Sequence, residues 1–338
     1  MSDKKGISQD PDLADIRMGF TVVSFGDLTA DVVLTIPTLP VIAGEDQLVR
    51  KIQIEPGGAG NFLISGTRLG LRMIGLGAVG DDAFGVAALN ALMYEGVDIH
   101  WIRRQHGGTT TTVFVLVDDL GKHVFLGQFG NGEKIPLSGE WKQVIQQTDA
   151  VQVWGYTLKE ERISEAMLEL IAYACQNQRP VCFDPGPWMA DVPAERWKTI
   201  LASCTILLLS ETEIPGFIGK AGDWQSARGL LDWGPQIVCV KLGSQGCVVM
   251  SRTETIEHPG FSVPIRDTSA AGDAFAAGFV YAYLNKWTLE QIAAFANAMG
   301  AAKVQKFGSG RQVPTMEEVR RVLSDNQVKD ILSIWKEE

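Results

Sequence analysis

Residues 267–284 read DTSAAGDAFAAGFVYAYL, and this stretch is the most informative part of the 338-residue chain. Its second half consists of small and apolar residues and predicts a helix suited to a buried position. Its first half is a turn of small residues that leads into the N-terminus of that helix. The first N–H groups of a helix have no partner within it and lie at the positive end of its dipole. Such a turn can bind an anion, including a phosphoryl group during its transfer.

Asp273 stands beside this predicted anion site and allows two interpretations. Its carboxylate can accept a proton from an attacking hydroxyl group as a general base. It can equally cap the helix, since Asp is favoured at helix N-termini. In both cases the helix dipole is expected to lower the pKa of Asp273 and keep the carboxylate ionised. The residues alone leave both roles open.

Around this stretch, short apolar runs alternate with segments of helical periodicity. Strands are predicted at 21–25, 72–76, 151–154, 181–183, 206–209 and 237–240, and helices at 61–69, 82–95 and 163–177. Alternation of this kind favours a mostly parallel sheet with helices on both faces. Such sheets bind ligands at the carboxyl ends of their strands.

Two regions interrupt the alternation. Residues 32–54 lack helical periodicity, and Asp118–Gly121 forms a hairpin signal between the runs 109–117 and 122–129. Residues 112–117 are apolar on both faces, whereas a solvent-facing hairpin should alternate. We therefore expect a small β-sheet lid, from about 32–56 and 108–130, with its outer face covered. A second subunit is the simplest cover and predicts a homodimer; packing against the chain's own main domain is the alternative.

Composition excludes several classes of protein. The 30 Lys and Arg residues against 40 Asp and Glu residues give a net charge of −10, which argues against sequence-blind nucleic-acid binding. The five cysteines include no C-x-x-C pair and suggest reduced thiols in the cytoplasm. No apolar run approaches the roughly 18 residues of a membrane span. Residues 1–18 are polar and are predicted to be a disordered leader, not a secretory signal.

Gly75–Gly80 (GLGAVG) matches the dinucleotide-binding pattern G-x-G-x-x-G. Three features argue against that function. A strand and a helix already precede the motif, its glycines begin inside the apolar run, and Asp81 and Asp82 would repel a pyrophosphate. The favoured interpretation is a glycine-rich strand end that packs closely on its neighbour. If the protein were a dehydrogenase, NAD would stabilise it thermally and ATP would not.

The 267–273 segment resembles the signature of the ribokinase (PfkB) family of ATP-dependent carbohydrate kinases. Five further segments resemble family motifs in chain order: Gly26–Asp31 (GDLTAD), Pro56–Asn61 (PGGAGN), Gly77–Gly85 (GAVGDDAFG), Lys241–Gly246 (KLGSQG) and Phe295–Ala298 (FANA). The resemblance runs from about residue 20 to about residue 314. It implies a Rossmann-like three-layer αβα domain over 19–338 with a small β-sheet lid. It also implies ATP and Mg²⁺, with K⁺ as a further candidate.

The resemblance assigns expected roles to individual residues. The base would be Asp273, and the N–H anion hole would be supplied by Ala270, Ala271 and Gly272. The substrate would be bound by Asp31, Gly57, Gly58 and Asn61, and the ATP site would be lined by Lys241, Gly243, Gly246 and Asn297. Glu213 would hold Mg²⁺ through water, and the oxygen ligands of a monovalent cation would come from Asp267 and Ser269. For Lys241, a solvated charge at a strand end is an equally open interpretation.

Three positions depart from the family pattern. Ser210 replaces the Asn of a frequent N-x-x-E motif, which puts its part in the Mg²⁺ site in question. Thr29 stands where ribokinase-like members often have Asn, and Ala59 stands where ribokinase itself has Lys. Both changes suggest a different sugar. The resemblance therefore implies phosphorylation of a hydroxymethyl group on a small carbohydrate. A nucleoside kinase of the same family and a catalytically weak sugar or nucleotide sensor are the alternatives.

Overall fold

The computed structural model describes residues 19–186, 192–219 and 222–335; the predicted leader at 1–18 lies outside them. The strands are β1 (Thr21–Thr35), β2 (Lys51–Gly58), β3 (Arg72–Gly80), β4 (Ile102–Gln105), β5 (Thr112–Val117), β6 (His123–Gln128), β7 (Ala150–Trp154), β8 (Val181–Asp184), β9 (Ile206–Ser210), β10 (Ile237–Lys241), β11 (Cys247–Met250) and β12 (Thr255–His258). The helices are α1 (Ala59–Arg68), α2 (Ala83–Tyr94), α3 (Gly139–Gln146), α4 (Ser164–Gln176), α5 (Ala194–Ala202), α6 (Ile214–Ile218), α7 (Trp224–Ala227), α8 (Ala271–Leu284), α9 (Leu289–Val304), α10 (Met316–Asp325) and α11 (Lys329–Ile334).

The main sheet has the strand order β12-β11-β10-β9-β8-β7-β1-β3-β4. Its pairs from β10 to β4 are parallel, and β11 and β12 continue the β10 edge in antiparallel fashion. Successive residues of one strand enter two separate cores: Leu208 packs in one and Leu207 in the other, and both are fully buried. Helices therefore cover both faces of the sheet, which confirms the predicted α/β architecture.

The central strand β1 corrects the prediction that the first strand ends near Gly26. It continues through Gly26 to Thr35, and its second half pairs with β2 and β5 in a small sheet completed by β6. Gly26 is needed for close packing and not for a turn, since a Cβ there would lie 3.1 Å from the Trp154 ring. The glycine that suggested a stop lies in the middle of a strand that belongs to two sheets.

The G-x-G-x-x-G segment lies within β3, which extends to Gly80, beyond the predicted end at residue 76. Gly77 has a φ of 148°, and a Cβ there would clash with the Gly26 carbonyl on β1. Asp82 then caps α2, since its carboxylate accepts the Gly85 N–H at 2.8 Å. The glycines thus serve the close strand packing expected from the sequence.

The outer face of the small sheet was expected to be covered, either by a second subunit or by the chain's own main domain. Phe114, Val124 and Leu126 lie on this face and are 39%, 41% and 55% exposed. The ring of Phe114 lies 6.3 Å from that of Phe84, near the start of α2. The chain's own main domain therefore leaves this apolar face open.

In the part of the chain that the structure describes, every helix is too short or too polar to cross a lipid bilayer.

Candidate active site

Two cavities meet at the N-terminus of α8. One, of about 480 Å³, is bordered by Thr268, Ala271 and Gly272. The other, of about 370 Å³, is bordered by Ser269, Ala270 and Asp273. The turn 268–273 is therefore the wall between them, and a group bound in each cavity would meet at the helix N-terminus.

The turn is shaped by Ala270, which has a left-handed conformation with φ 59° and ψ 6°. This is an uncommon conformation for a residue with a Cβ. The Ala271 N–H turns back to the Thr268 carbonyl at 3.3 Å, and the helix begins there. Gly272 lies in the first turn, where N–H groups lack a carbonyl one turn before them. A Cβ on Gly272 would lie 3.6 Å from the Lys241 ammonium, so a cation stands beside this end of the helix.

Asp273 lies in the first turn of α8 and faces the smaller cavity. The Asn61 side-chain N–H donates to its Oδ2 at 2.8 Å. Burial raises the pKa of Asp273 to about 7, against the opposing effects of Asn61 and Lys241. The sequence-based expectation of a lowered pKa is wrong, because the loss of hydration outweighs the helix dipole. A carboxyl group with this pKa can take up a proton near neutral pH.

Asn61 is fixed between two distant parts of the chain. It lies in the first turn of α1, and its Oδ1 accepts the Gly310 N–H at 2.6 Å while its N–H binds Asp273. The buried amide therefore orients the Asp273 carboxylate as well as bordering the cavity.

Asp31 lies on β1, on the opposite wall of the smaller cavity. Burial raises its pKa to about 6, and the neighbouring Glu55 acts in the same direction. A Cβ on Gly57 would collide with the Asp31 carboxylate, so glycine is required there. Gly58 has a φ of 49°, and a Cβ would lie 2.7 Å from the Tyr156 hydroxyl. The glycines at 57 and 58 thus let the backbone approach groups that border the cavity.

The remaining wall of this cavity is largely apolar. It includes Val113, Phe125, Phe129 and Tyr156 beside the polar end formed by the carboxylates. The Tyr156 hydroxyl is fixed, because it accepts the Ala59 N–H at 3.0 Å. The cavity is therefore lined by two carboxyl groups and an amide together with aromatic and aliphatic side chains.

Lys241 is not a solvated charge at a strand end. Its ammonium forms a 2.6 Å ion pair with Asp184, and both side chains are largely buried. The carboxylates of Asp184 and Glu213 raise the pKa of Lys241 above its ordinary value. Glu213 in turn has a raised pKa, caused first by burial and then by Asp184. Its Oε2 accepts the Ser210 N–H at 2.7 Å, and the Ser210 hydroxyl lies 2.9 Å from that of Thr212. The structure thus brings Lys241, Asp184 and Glu213 into one charged group.

The larger cavity contains the other residues predicted for the nucleotide. Gly243 and Gly246 border it, with φ values of 60° and 92°. At Gly246 a Cβ would clash with the His258 carbonyl. Asn297 reaches the cavity from α9, and its amide donates to His258 Nδ1 at 2.9 Å.

The residues predicted to bind a monovalent cation lie behind the turn. The Asp267 carboxylate accepts the Ser269 N–H at 2.9 Å and the Gly308 N–H at 2.7 Å. The Ser269 hydroxyl is buried and has no hydrogen-bond partner among the described residues. These contacts fix the turn to the segment that follows α9.

Sequence analysis did not identify three groups near this site: Tyr156, the Asp184 partner of Lys241, and the buried Lys303. Tyr156 comes just after the carboxyl end of β7, and Asp184 is the last residue of β8. Parallel sheets bind ligands at these strand ends. The position of both residues in the predicted strands could therefore have identified them. Lys303 is part of a helical pattern and carries no local signal.

Comparison with known proteins identifies the fold and the family. Residues 20–316 match the pfkB family carbohydrate kinase. An ATP-dependent ribose-1-phosphate kinase from Halopiger xanaduensis is 32% identical over 304 residues, 90% of this chain and 98% of that protein. A structure of Arabidopsis thaliana ribokinase complexed with ribose and ATP has a TM-score of 0.78 at 24% identity, over 90% of this chain and 99% of that one. A putative ribokinase II from E. coli in complex with ATP and Mg²⁺ has a TM-score of 0.79 at 22% identity, over 90% and 99%. With two cavities meeting at a helix N-terminus and a family match over most of its length, the chain belongs to the pfkB family of carbohydrate kinases.

Proposed function

We propose that this kinase transfers the γ-phosphoryl group of ATP to a hydroxymethyl group of a small, uncharged sugar. The supporting observation is the position of Asp273 and the turn 270–272 between two cavities. ATP would occupy the larger cavity beside Gly243, Gly246 and Asn297. The sugar would occupy the smaller one, between Asp31 and Asp273.

Each side chain has a defined part in the proposed reaction. The substrate hydroxyl oxygen forms a bond to the γ-phosphorus, the bond from that phosphorus to the β–γ bridging oxygen breaks, and ADP leaves. Asp273 takes the hydroxyl proton, and Asn61 holds its carboxylate towards the cavity. The N–H groups at the start of α8 bind the charge that develops on the transferring phosphoryl group.

Mg²⁺ would be held through water near Glu213 and Asp184, where it would neutralise phosphate charge. Carboxylate oxygens are ligands that suit this ion, and both carboxylates act on the charge of Lys241, which is paired with Asp184. The Ser210 hydroxyl points to Thr212, so the departure from the family Asn leaves a polar group at that position.

The charge of the smaller cavity favours an uncharged acceptor. Among the described residues that border it, Asp31 and Asp273 are ionisable acids, and none is Lys or Arg. The nearby Arg311 is paired with Glu55 at 2.8 Å. A phosphate on the sugar would meet carboxylates without a compensating cation.

A nucleoside is the second candidate substrate, and the apolar wall favours it. Phe125, Phe129 and Tyr156 present ring faces beside the hydroxyl-binding end. Aromatic side chains stack on nucleobases. A catalytically weak sensor is the remaining alternative.

We also propose that the chain forms a homodimer through the small sheet, which would act as a lid over the sugar. The support is the open apolar face of β5 and β6, which resembles an uncovered interface. The five thiols are free, which suits the cytoplasmic location expected from the sequence.

The first experiment is a coupled ADP-release assay with MgATP over free sugars, sugar 1-phosphates and nucleosides. We expect an uncharged acceptor to stimulate ADP release at least tenfold more than its phosphorylated counterpart. Asp273→Asn should lose about 10²-fold or more of that activity, because the general base is removed. Asp232→Asn is the matched control, since Asp232 is an exposed carboxylate paired with Arg252.

Three results would contradict the proposal. Preference for a sugar 1-phosphate would overturn the uncharged acceptor but not the phosphotransfer. Full activity of Asp273→Asn would remove the base from the mechanism. Binding of ATP without stimulation by any acceptor would favour the sensor.

A further inference from the structure

Lys303 is a fully buried lysine for which the proposed reaction has no use. It lies in the last turn of α9, and its relative exposure is 0%. A lysine is rarely buried completely unless its charge is balanced, because removing an ammonium from water is costly. The surroundings of Lys303 must therefore compensate the charge.

The segment around Lys303 is interlocked with the turn before α8. The Val304 carbonyl accepts the N–H groups of Arg266 and Asp267 at 2.7 and 3.2 Å. Gly308 donates its N–H to Asp267 Oδ2 at 2.7 Å. The Lys303 ammonium donates to the Lys306 carbonyl at 3.2 Å, on the inside of this connection.

Two carboxylates act on the ammonium. Asp267 and Asp273 both raise the pKa of Lys303, while burial, the largest effect, lowers it. Asp267 anchors the turn 266–269, and Asp273 is the proposed base. The ammonium thus lies in the field of the two acids that flank the anion-binding turn.

This arrangement does not fit the monovalent cation that the family resemblance implied for Asp267 and Ser269. A potassium ion placed at the Asp267 carboxylate would share a buried region with the Lys303 ammonium, and like charges repel strongly at low dielectric. The Lys306 carbonyl, a neutral oxygen of the type that binds such ions, accepts the Lys303 N–H at 3.2 Å. The Ser269 hydroxyl lacks a hydrogen-bond partner within the described residues, as does the Ser309 hydroxyl.

We propose that Lys303 is a built-in cation that replaces a monovalent metal ion and holds the turn 267–272 in its phosphate-binding conformation. Lys303 is a positioning residue, since it acts on the turn and touches no reacting atom. The proposal rests on the proposed function for its catalytic consequence, but its structural consequence can be measured without any substrate.

The first test uses the unaltered protein. Phosphotransfer and melting temperature are compared in about 0.1 M KCl, NaCl and choline chloride, with the counter-ion of ATP exchanged for choline. We expect activities within twofold of each other and equal melting temperatures in the three salts. A tenfold or larger requirement for K⁺ would overturn the proposal.

The second test compares Lys303→Met with Lys306→Met. The methionine at 303 keeps the length and apolar stem but removes the charge. In choline chloride we expect it to lose at least tenfold in kcat with a smaller change in the KM of the sugar. K⁺ should restore part of that loss and raise the melting temperature of this variant above its value in choline.

Lys306→Met is the matched control because it keeps the backbone carbonyl and removes a neighbouring ammonium, which is paired with Glu318 and donates to the Val313 carbonyl. It should behave as the unaltered protein in all three salts. A Lys303→Met protein that is fully active in choline and indifferent to K⁺ would overturn the proposal. If that variant does not fold, Lys303→Gln is compared with the unaltered protein in the same three salts.

The melting-temperature measurements separate the two proposals. A chain that phosphorylates no acceptor but whose Lys303→Met variant is stabilised by K⁺ alone supports the internal cation and contradicts the proposed function. A chain that phosphorylates a sugar, but only in K⁺, supports the proposed function and contradicts the internal cation.

Discussion

At the scale of single residues, the titration of Asp273 controls the expected pH dependence. Burial raises its pKa to about 7, so the carboxyl is protonated below that pH and cannot accept the substrate proton. We expect kcat/KM for the acceptor, at saturating MgATP, to fall about tenfold per pH unit below pH 7 and to level off above it. Asp273→Asn should retain only a low rate without this rise. A constant kcat/KM between about pH 5.5 and 7.5 would contradict the role of this group.

Ala270 gives a second expectation at this scale. Its left-handed backbone costs a residue with a Cβ about 1–2 kcal/mol, which glycine avoids, although glycine loses more freedom on folding. Ala270→Gly should therefore raise the free energy of unfolding by about 1 kcal/mol in urea titrations. Ala277→Gly, in the middle of α8, is the control and should lower it by a similar amount. A loss of stability in both variants would show that the conformation of Ala270 is not strained.

At the residue scale, the structure shows which of the predicted residues lie together, while their roles stay predictions. The acids at 31 and 273 and the amide at 61 border one cavity, and only a resemblance over the whole chain connected positions more than 200 residues apart. The pKa of Asp273 was mispredicted because the local sequence shows a helix dipole but not burial. Lys303 was missed for the same reason: what makes it unusual is the segment folded around it.

At the scale of elements, Arg162 joins the main sheet to the small one. The buried guanidinium donates to Asp27 on β1 at 3.0 Å and to Glu160 at 2.9 Å. It also donates to the carbonyls of Thr109 and Asn131, at 3.3 and 3.1 Å, where the β5–β6 hairpin begins and ends. One side chain therefore fixes the base of the hairpin against the central strand.

Removal of that side chain should be costly. Arg162→Met would leave the carboxylates of Asp27 and Glu160 buried without their partner, and we expect a loss of about 3–5 kcal/mol in the free energy of unfolding. Arg196→Met removes an exposed ion pair with Glu165 and should cost at most about 1 kcal/mol. Denaturant titration measures both. Equal effects would mean that the buried network contributes no more than a surface pair.

Element prediction from the sequence was good for the alternating strands and helices and weaker at their ends. The predicted helix at 82–95 and the structural α2 (Ala83–Tyr94) agree closely, since Asp82 is a recognisable cap. The first strand and the strand predicted at 72–76 were both predicted too short, because Gly26 and Gly77 resemble turn residues. Their absent side chains are needed for strand packing, which is a property of the neighbouring strand and not of the local sequence.

At the scale of the whole molecule, the open face of the small sheet sets the expected assembly. Leu126 and Ile52 are 55% and 62% exposed on this face. We expect the protein to sediment as a dimer at micromolar concentration. Leu126→Asp should raise the dissociation constant of the dimer at least tenfold, because a charge at an apolar interface core must be desolvated. Tyr94→Ser, which removes an exposed ring from the end of α2, should leave the dimer intact. A monomer at about 50 μM would contradict the homodimer.

The double membership of β1 limits how this enzyme can be re-engineered. Because the strand that carries Asp31 into the small sheet is also the central strand of the main sheet, the small sheet is not a separable module. A small sheet taken from another kinase would bring with it half of a foreign central strand, together with its register against β3 and β7. Exchange of modules is thus a poor route to a new acceptor. Point substitutions on the inner face, at positions such as Val113 and Phe125, would alter the proposed acceptor site and leave the scaffold unchanged.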